Sequence, residues 1–478
     1  MNTLVFAGED MHIENKGPLG MLTRFYTSNF YVFLCAVLAL AGIMFCDAII
    51  AATLIIVMMS GQFFVLRDSS RMFYPLTFLI MLLVNLSGEN IERGSMLVFG
   101  AVPVIGGMIY NIIKHKKRFR PTMLFLPMAA VSVAVTVGGA FSITKEEYFE
   151  IGNLFYVGTL GFVMMLLCML LFTLFDGEDA KTLQDSFVGA MCDSALLLGF
   201  VILYYYISNL SEFASDHQTV TELAHNPMRN VAVSYFMLAM PFAFYRAKDN
   251  AVYLLGGIFL WGTCLLSGSR TGLLFGSMQF FICMVAFIIT SKKHRWLWAG
   301  ILAGLVAVAL VLKDDIFYMY LGRLEEDFGT GSFINPHESR FLLFKRAVED
   351  FFSAPVFGRG LGYTGNEDIY VPRLFEMNWY HNFICQIAGS LGLFGIAAYM
   401  YQLYYRMQLL LKRPFVFCIP IGLMYIGALL SGITDTGIFT PFPTVFLLNC
   451  AFMITVISRR QKEQKEDIVK QTPINKTA

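Results

Sequence analysis

Apolar segments of roughly 17 to 25 residues recur along this chain from about Phe30 to about Ser458, and each is long enough to cross a hydrocarbon core as a helix. In lipid the backbone must satisfy its own polar groups, which a helix does within one segment. The chain has 478 residues, 57% hydrophobic and 14% charged, with a mean hydropathy of +0.62. That is more apolar surface than a water-soluble core could bury. The fold class that follows is an all-α polytopic membrane protein with about 14 transmembrane helices and one large extracytoplasmic loop.

The formal net charge of +1 says nothing about partners, because the arrangement of charge along a membrane chain matters more than its sum. With both ends taken as cytoplasmic, the inner loops hold Arg67 and Arg71, the run Lys114 to Arg120, the Arg246–Lys248 turn, Lys292 to Arg295, and Lys412 with Arg413. The outer loops are acidic or neutral, which is the positive-inside pattern. One inner loop departs from it: Asp176 to Asp185 is acidic. Acidic residues weigh little in setting orientation, so the assignment stands. The nine cysteines lie in or beside apolar runs without CxxC spacing and read as core residues. The first apolar run follows Glu9, Asp10 and Glu14 and lacks a small-residue cleavage site, so it reads as a first span.

The chain divides into a cytoplasmic N-terminal segment (1–29), an N-terminal transmembrane bundle (30–312), an extracytoplasmic loop (313–380), C-terminal transmembrane helices (381–458) and a polar cytoplasmic tail (459–478). Within the loop, Ser339 to Phe352 places Phe341, Phe344, Val348 and Phe351 or Phe352 at helical spacing, with Arg340, Lys345, Arg346 and Glu349 between them. Such a helix can lie on the membrane surface. Pro355 and the glycines from Gly358 to Gly362 then end it in a tight turn. A loop of this length between spans is usually functional.

Several residues on the outer side could carry chemistry. Arg270 sits in a turn between Gly268 and Gly272 at the outer end of a span. It reads either as an interfacial arginine on lipid phosphates or as an anion clamp at the mouth of a buried site. Arg340 opens the amphipathic segment, with Glu338 beside it as a competing base. Arg359 lies in the glycine turn, and His381 stands beside Asn382 at the start of the next span. A neutral imidazole held at a helix start can accept a proton. Asp435 is a further acid in an outer turn, and Asp193 is expected to cap the inner end of a helix. The stretch Gly360 to Gly365 fits GxGxxG formally, but no strand precedes it, so it carries no nucleotide reading. Zinc-type spacing, HExxH, GxSxG and the P-loop do not occur. No metal and no cofactor are expected.

The ordered trio "SGSRTGLL", "ESRFLLFKRAVEDFFSAPVFGRGLGY" and "WYHNFICQIAGSLGLFGIAAYM" resembles the O-antigen ligase and polysaccharide polymerase superfamily, over about Trp261 to Tyr404. The resemblance implies a C-type membrane glycosyltransferase in a bacterial cytoplasmic membrane. It would act without metal or nucleotide sugar on an undecaprenyl-diphosphate-linked oligosaccharide and invert the anomeric carbon. By position it assigns catalytic roles to Arg270, Arg340 and His381, and substrate binding to Arg359, Arg346, Glu338 and Asn382, with Arg346 competing with Arg340 as the loop arginine. The partners implied are the lipid-linked donor, an acceptor glycan, membrane lipid and polysaccharide assembly proteins. Nucleic acid is not among them. Polymerisation of O-antigen, capsule or exopolysaccharide is the leading expectation, and ligation to lipid A-core or another acceptor is the alternative. A lipid-linked oligosaccharide flippase and a structural scaffold are the readings from other classes.

A lone guanidinium about 4 Å from a leaving diphosphate contributes on the order of 4 kcal/mol at an effective dielectric near 20. A general base adds roughly 100- to 10,000-fold.

Overall fold

A computed structural model of the chain describes residues 17–45, 47–84, 95–140, 157–208, 229–267, 269, 271–290, 295–311, 340–361, 380–434 and 437–471. Among them there is no β-strand. The helices are α1 (Pro18–Thr27), α2 (Asn29–Met44), α3 (Ala48–Val65), α4 (Phe73–Val84), α5 (Ala101–Lys114), α6 (Phe125–Val137), α7 (Met164–Leu174) and α8 (Ala180–Ser208). They continue with α9 (Arg229–Ala247), α10 (Val252–Leu266), α11 (Ser277–Thr290), α12 (Arg295–Val311), α13 (Arg340–Ser353), α14 (Phe383–Leu411), α15 (Cys418–Thr434) and α16 (Phe446–Gln471). Three π segments, Thr159–Val163, Gly272–Gly276 and Pro441–Val445, lead into α7, α11 and α16.

Among the described residues four stretches, Ala48–Val65, Ala180–Tyr205, Gly272–Thr290 and Phe383–Leu411, are long and apolar enough to cross a membrane, and α1 with α2, bent by 67°, make a fifth if the pair is one span. Eight shorter apolar helices accompany them. Large apolar side chains face outward along these helices, among them Phe33 at 62% and Val311 at 80% exposure. In water such a surface would drive aggregation, whereas lipid tails solvate it. The chain is an integral membrane protein.

Between helices the contacts are apolar packing pinned by a few buried polar groups. Gln279 on α11 donates through Nε2 to the carbonyls of Met237 (2.7 Å) and Leu423 (3.1 Å), tying α11 to α9 and α15. The Tyr31 hydroxyl donates to Gln62 Oε1 at 3.1 Å, and Asn111 Nδ2 donates to the carbonyls of Phe63 and Leu66. Each such bond fixes one helix against another where apolar packing alone would allow sliding. The eight described cysteines are free thiols, seven of them buried and Cys385 half-buried.

The polar groups collect at two ends. At one end the 114–121 loop meets the acidic loop that departs from the charge pattern. Lys117 Nζ lies 2.6 Å from Glu178 Oε1 and also donates to the carbonyls of Arg67 and Leu174. Arg120 pairs with Asp176 at 3.0 Å. Gln461 on α16 donates to the Glu178 carbonyl and accepts from the Ala180 amide. The acidic loop is therefore the counter-charge of the neighbouring basic one.

Asp193 does not cap a helix. It lies well inside α8, because α8 begins at Ala180, and it pairs at 3.4 Å with Arg246 in the last turn of α9. The same guanidinium stacks over Tyr253 at 4.2 Å.

Candidate functional site

The other polar end is built around a break in α14. Gly392 takes φ +61° and ψ −157°, which interrupts the helix. A side chain there would stand 2.7 Å from the backbone of Pro355, Val356 and Gly358, so only glycine fits. The interruption leaves backbone groups of α14 without helical partners, and the turn after α13 supplies them. The amides of Arg359 and Gly360 donate to the carbonyls of Gly389 (2.9 Å) and Ser390 (2.8 Å). In return the amides of Leu393 and Phe394 donate to the carbonyls of Pro355 (2.8 Å) and Val356 (3.0 Å). Gly358, at φ +68°, passes so close to Ser390 that a Cβ would meet its carbonyl carbon at 2.3 Å. These glycines serve helix packing, and the amides at 359 and 360 are already spent on α14.

The amphipathic segment folds as α13 and presents Leu343, Ala347 and Asp350 to the protein. Val348 and Phe352 point away from it, at 54% and 74% exposure. Asp350 is thus a carboxylate on the buried face, 3% exposed. The Tyr380 hydroxyl donates to its Oδ2 at 2.7 Å, and Arg359 Nε lies 3.7 Å from its Oδ1. Burial pushes this carboxyl up, and the Tyr380 hydrogen bond and the charges of Arg359 and Arg346 oppose that rise.

Tyr380 carries the arrangement to His381. The Tyr380 ring is buried, and its amide donates to Gln386 Oε1 at 3.0 Å. Gln386 Nε2 in turn donates to Ser390 Oγ at 2.9 Å. The next residue, His381, adopts φ +51°, a left-handed conformation unusual for a residue with a Cβ. Asn382 follows as the N-cap of α14, accepting from the amides of Ile384 (2.9 Å) and Cys385 (3.1 Å). The imidazole is half-buried. Its backbone is held on one side by the Asp350–Tyr380 bond and on the other by a helix cap, which suits a group that must be aimed.

Thr271 reaches the same place from another direction. Asn382 Nδ2 donates to the Ile433 carbonyl at 2.9 Å, and the adjacent Thr434 hydroxyl lies 2.7 Å from that of Thr271. Ser269 and Thr271 are both buried. Thr271 is thereby linked through α15 to the residue after His381.

Of the residues singled out from sequence, Arg346, Arg359, His381 and Asn382 are described, and they gather around Asp350 and Tyr380. Arg346 also pairs with Glu349 at 3.7 Å. Arg340 begins α13, and only its backbone is described. Arg270, Glu338 and Asp435 lie outside the described residues. Among the described residues no His, Cys, Asp and Glu cluster could hold a metal. Asp350 and Tyr380 are the site residues that sequence reading missed. The available signal was an acid at a core position, seven residues after Leu343 and three after Ala347.

No curated protein matches the chain. The family model described as O-antigen ligase matches residues 255–400, about a third of the chain, a segment that contains Thr271, α13, the glycine turn and His381, so this part of the chain is similar to the O-antigen ligase family.

Proposed function

We propose that this protein is a glycan polymerase that transfers an undecaprenyl-diphosphate-linked oligosaccharide to an acceptor sugar. The family's members are glycosyltransferase-like enzymes acting on lipid-linked oligosaccharide and an acceptor glycan. The observation that carries the reading is the linkage of Thr271, through Thr434 and Ile433, to Asn382 beside His381.

In this reading Arg270 and Arg340 neutralise the diphosphate as its bond to the anomeric carbon breaks. The acceptor hydroxyl attacks that carbon from the opposite face, which inverts it, and His381 takes the hydroxyl proton. Arg346, Arg359, Glu338 and Asn382 border the substrate. No metal is required, because the guanidinium groups carry the charge compensation.

The gathering of basic loops at the end opposite His381 supports an orientation with both termini cytoplasmic and the site at the outer face of the bacterial cytoplasmic membrane. The outward Val348 and Phe352 support α13 as a helix on the membrane surface. The many short apolar helices support a count of about 14 spans.

The test is purification in detergent and incubation with authentic undecaprenyl-diphosphate oligosaccharide, comparing wild type with Arg270→Ala and His381→Ala. Lengthening or transfer of the glycan with release of undecaprenyl diphosphate, lost in both folded variants, is the expected result. Transfer to a lipid A-core acceptor without lengthening would make the protein a ligase. Inactivity of the wild type would favour a flippase or scaffold.

A further inference from the structure

Arg406 is a buried cation with no carboxylate within ion-pair distance among the described residues. It is 5% exposed and lies in the part of α14 beyond the Gly392 break, about 7.5 Å before the helix ends at Leu411. A long basic side chain this near a helix end normally turns outward to the interface. This one turns inward. Its Nη2 donates to Asn449 Oδ1 at 3.0 Å. Ten residues further along α16, Arg459 donates to the carbonyl of Leu409, so position 459 marks the level of the α14 terminus and Asn449 lies about 15 Å deeper.

The Phe452 and Tyr425 rings cover the guanidinium at 4.9 and 5.1 Å, which offsets part of the cost of burying the charge. A guanidinium carries five N–H donors, and Asn449 accepts from one of its nitrogens. Among the described residues no acid lies within ion-pair distance. A buried intramembrane charge without compensation is strongly disfavoured, and such residues face a cavity or pathway with a partner of opposite sign.

A cavity lies beside Arg406. Its polar walls are Arg406, Gln402, Asn449, Ser132, Tyr399 and Gly161. Gly161 sits in the π segment Thr159–Val163 at φ −89° and ψ −105°, outside helical geometry. The space admits water-sized occupants over about 40 Å³. One water needs about 10–15 Å³ on the same measure, so a few waters or one small ion fit, and a sugar or a lipid diphosphate does not.

We propose that this cavity is a binding site for a small inorganic monoanion of halide size, held by the Arg406 guanidinium with Asn449 and Gln402 amide groups. The site is independent of the transfer reaction.

The test is thermal unfolding of the purified protein in detergent at constant ionic strength, with sodium gluconate exchanged stepwise for sodium chloride. The wild-type Tm is expected to rise saturably by about 2–4 °C. Arg406→Gln is expected to lose the chloride dependence. In crystals grown in bromide, an anomalous peak is expected in hydrogen-bond contact with the Arg406 guanidinium, a measurement that needs no variant to fold. Equal Tm values in gluconate and chloride together with no bromide at Arg406 would overturn the proposal. So would a chloride effect that survives in Arg406→Gln.

Discussion

Two carboxylates outside the spans are buried to nearly the same degree, Glu178 at 8% and Asp350 at 3% exposure, yet their neighbours differ in kind. Glu178 faces Lys117 at 2.6 Å and receives the Ser69 amide, in a cluster that ties four chain segments together at the end away from the candidate site. Asp350 holds Arg359 and Tyr380, and Tyr380 adjoins a histidine in a left-handed conformation. Buried charge in the first setting fastens helices. In the second it also holds the backbone next to His381, the group proposed to act in transfer.

Substitutions can break this comparison. The largest effect is expected from His381→Ala, a loss of transfer of about 100- to 10,000-fold with an unchanged Tm. Glu178→Gln in the same assay should leave turnover intact. A comparable loss of turnover in both would remove the distinction. Next, Asp350→Ala removes the carboxylate beside the half-buried Arg359 and the acceptor of the Tyr380 hydroxyl, which costs on the order of 3 kcal/mol, measured as a fall in denaturation midpoint. Asp350→Asn keeps an acceptor for the Tyr380 hydroxyl and should cost less.

Titration separates the two ends further. Burial, with Asp68 adding to it and Lys117 opposing, pushes Glu178 from 4.5 up to about 7. A carboxyl raised on folding favours the native state most below its unfolded value, and that contribution is lost as pH rises through the folded value. Wild-type stability should therefore fall by on the order of 3 kcal/mol between about pH 4.5 and 7. Glu178→Gln should flatten that part of the Tm-against-pH curve. A slope that persists would assign the titration to another group.

The smallest effect is expected from Tyr380→Phe. It removes one hydrogen bond to a charged group, about 1.5–3 kcal/mol. If the bond aims His381, turnover should fall while the Michaelis constant for the lipid-linked donor stays constant. A change confined to Tm would make Asp350 as purely structural as Glu178.

The membrane character and helical class were legible in the recurrence of apolar segments, because spanning a bilayer imposes a length and forces helical bonding. The acidic loop at Asp176 and Glu178 looked like an exception to the charge pattern until its partners, Lys117 and Arg120, came from a loop some 60 residues earlier. Asp193 was misread because sequence pattern does not fix where α8 begins. Asp350 escaped attention among the charges of α13, since at one helical turn's resolution an acid facing the protein and an acid facing water look alike. Arg406 drew no reading from the sequence, because its inward direction depends on Asn449 of another helix.

The sequence by itself determined that this chain enters a membrane as many helices, and its motif order over about Trp261 to Tyr404 carries its similarity to the O-antigen ligase family. Those properties reside in local composition and spacing. The tertiary structure alone decided which polar groups meet: Thr271 with Thr434, Asp350 with Tyr380 and Arg359, and Arg406 with Asn449 and a small cavity. Contacts between residues so distant in the chain depend on helix rotation and on the break at Gly392, and both are set by packing of whole helices against one another.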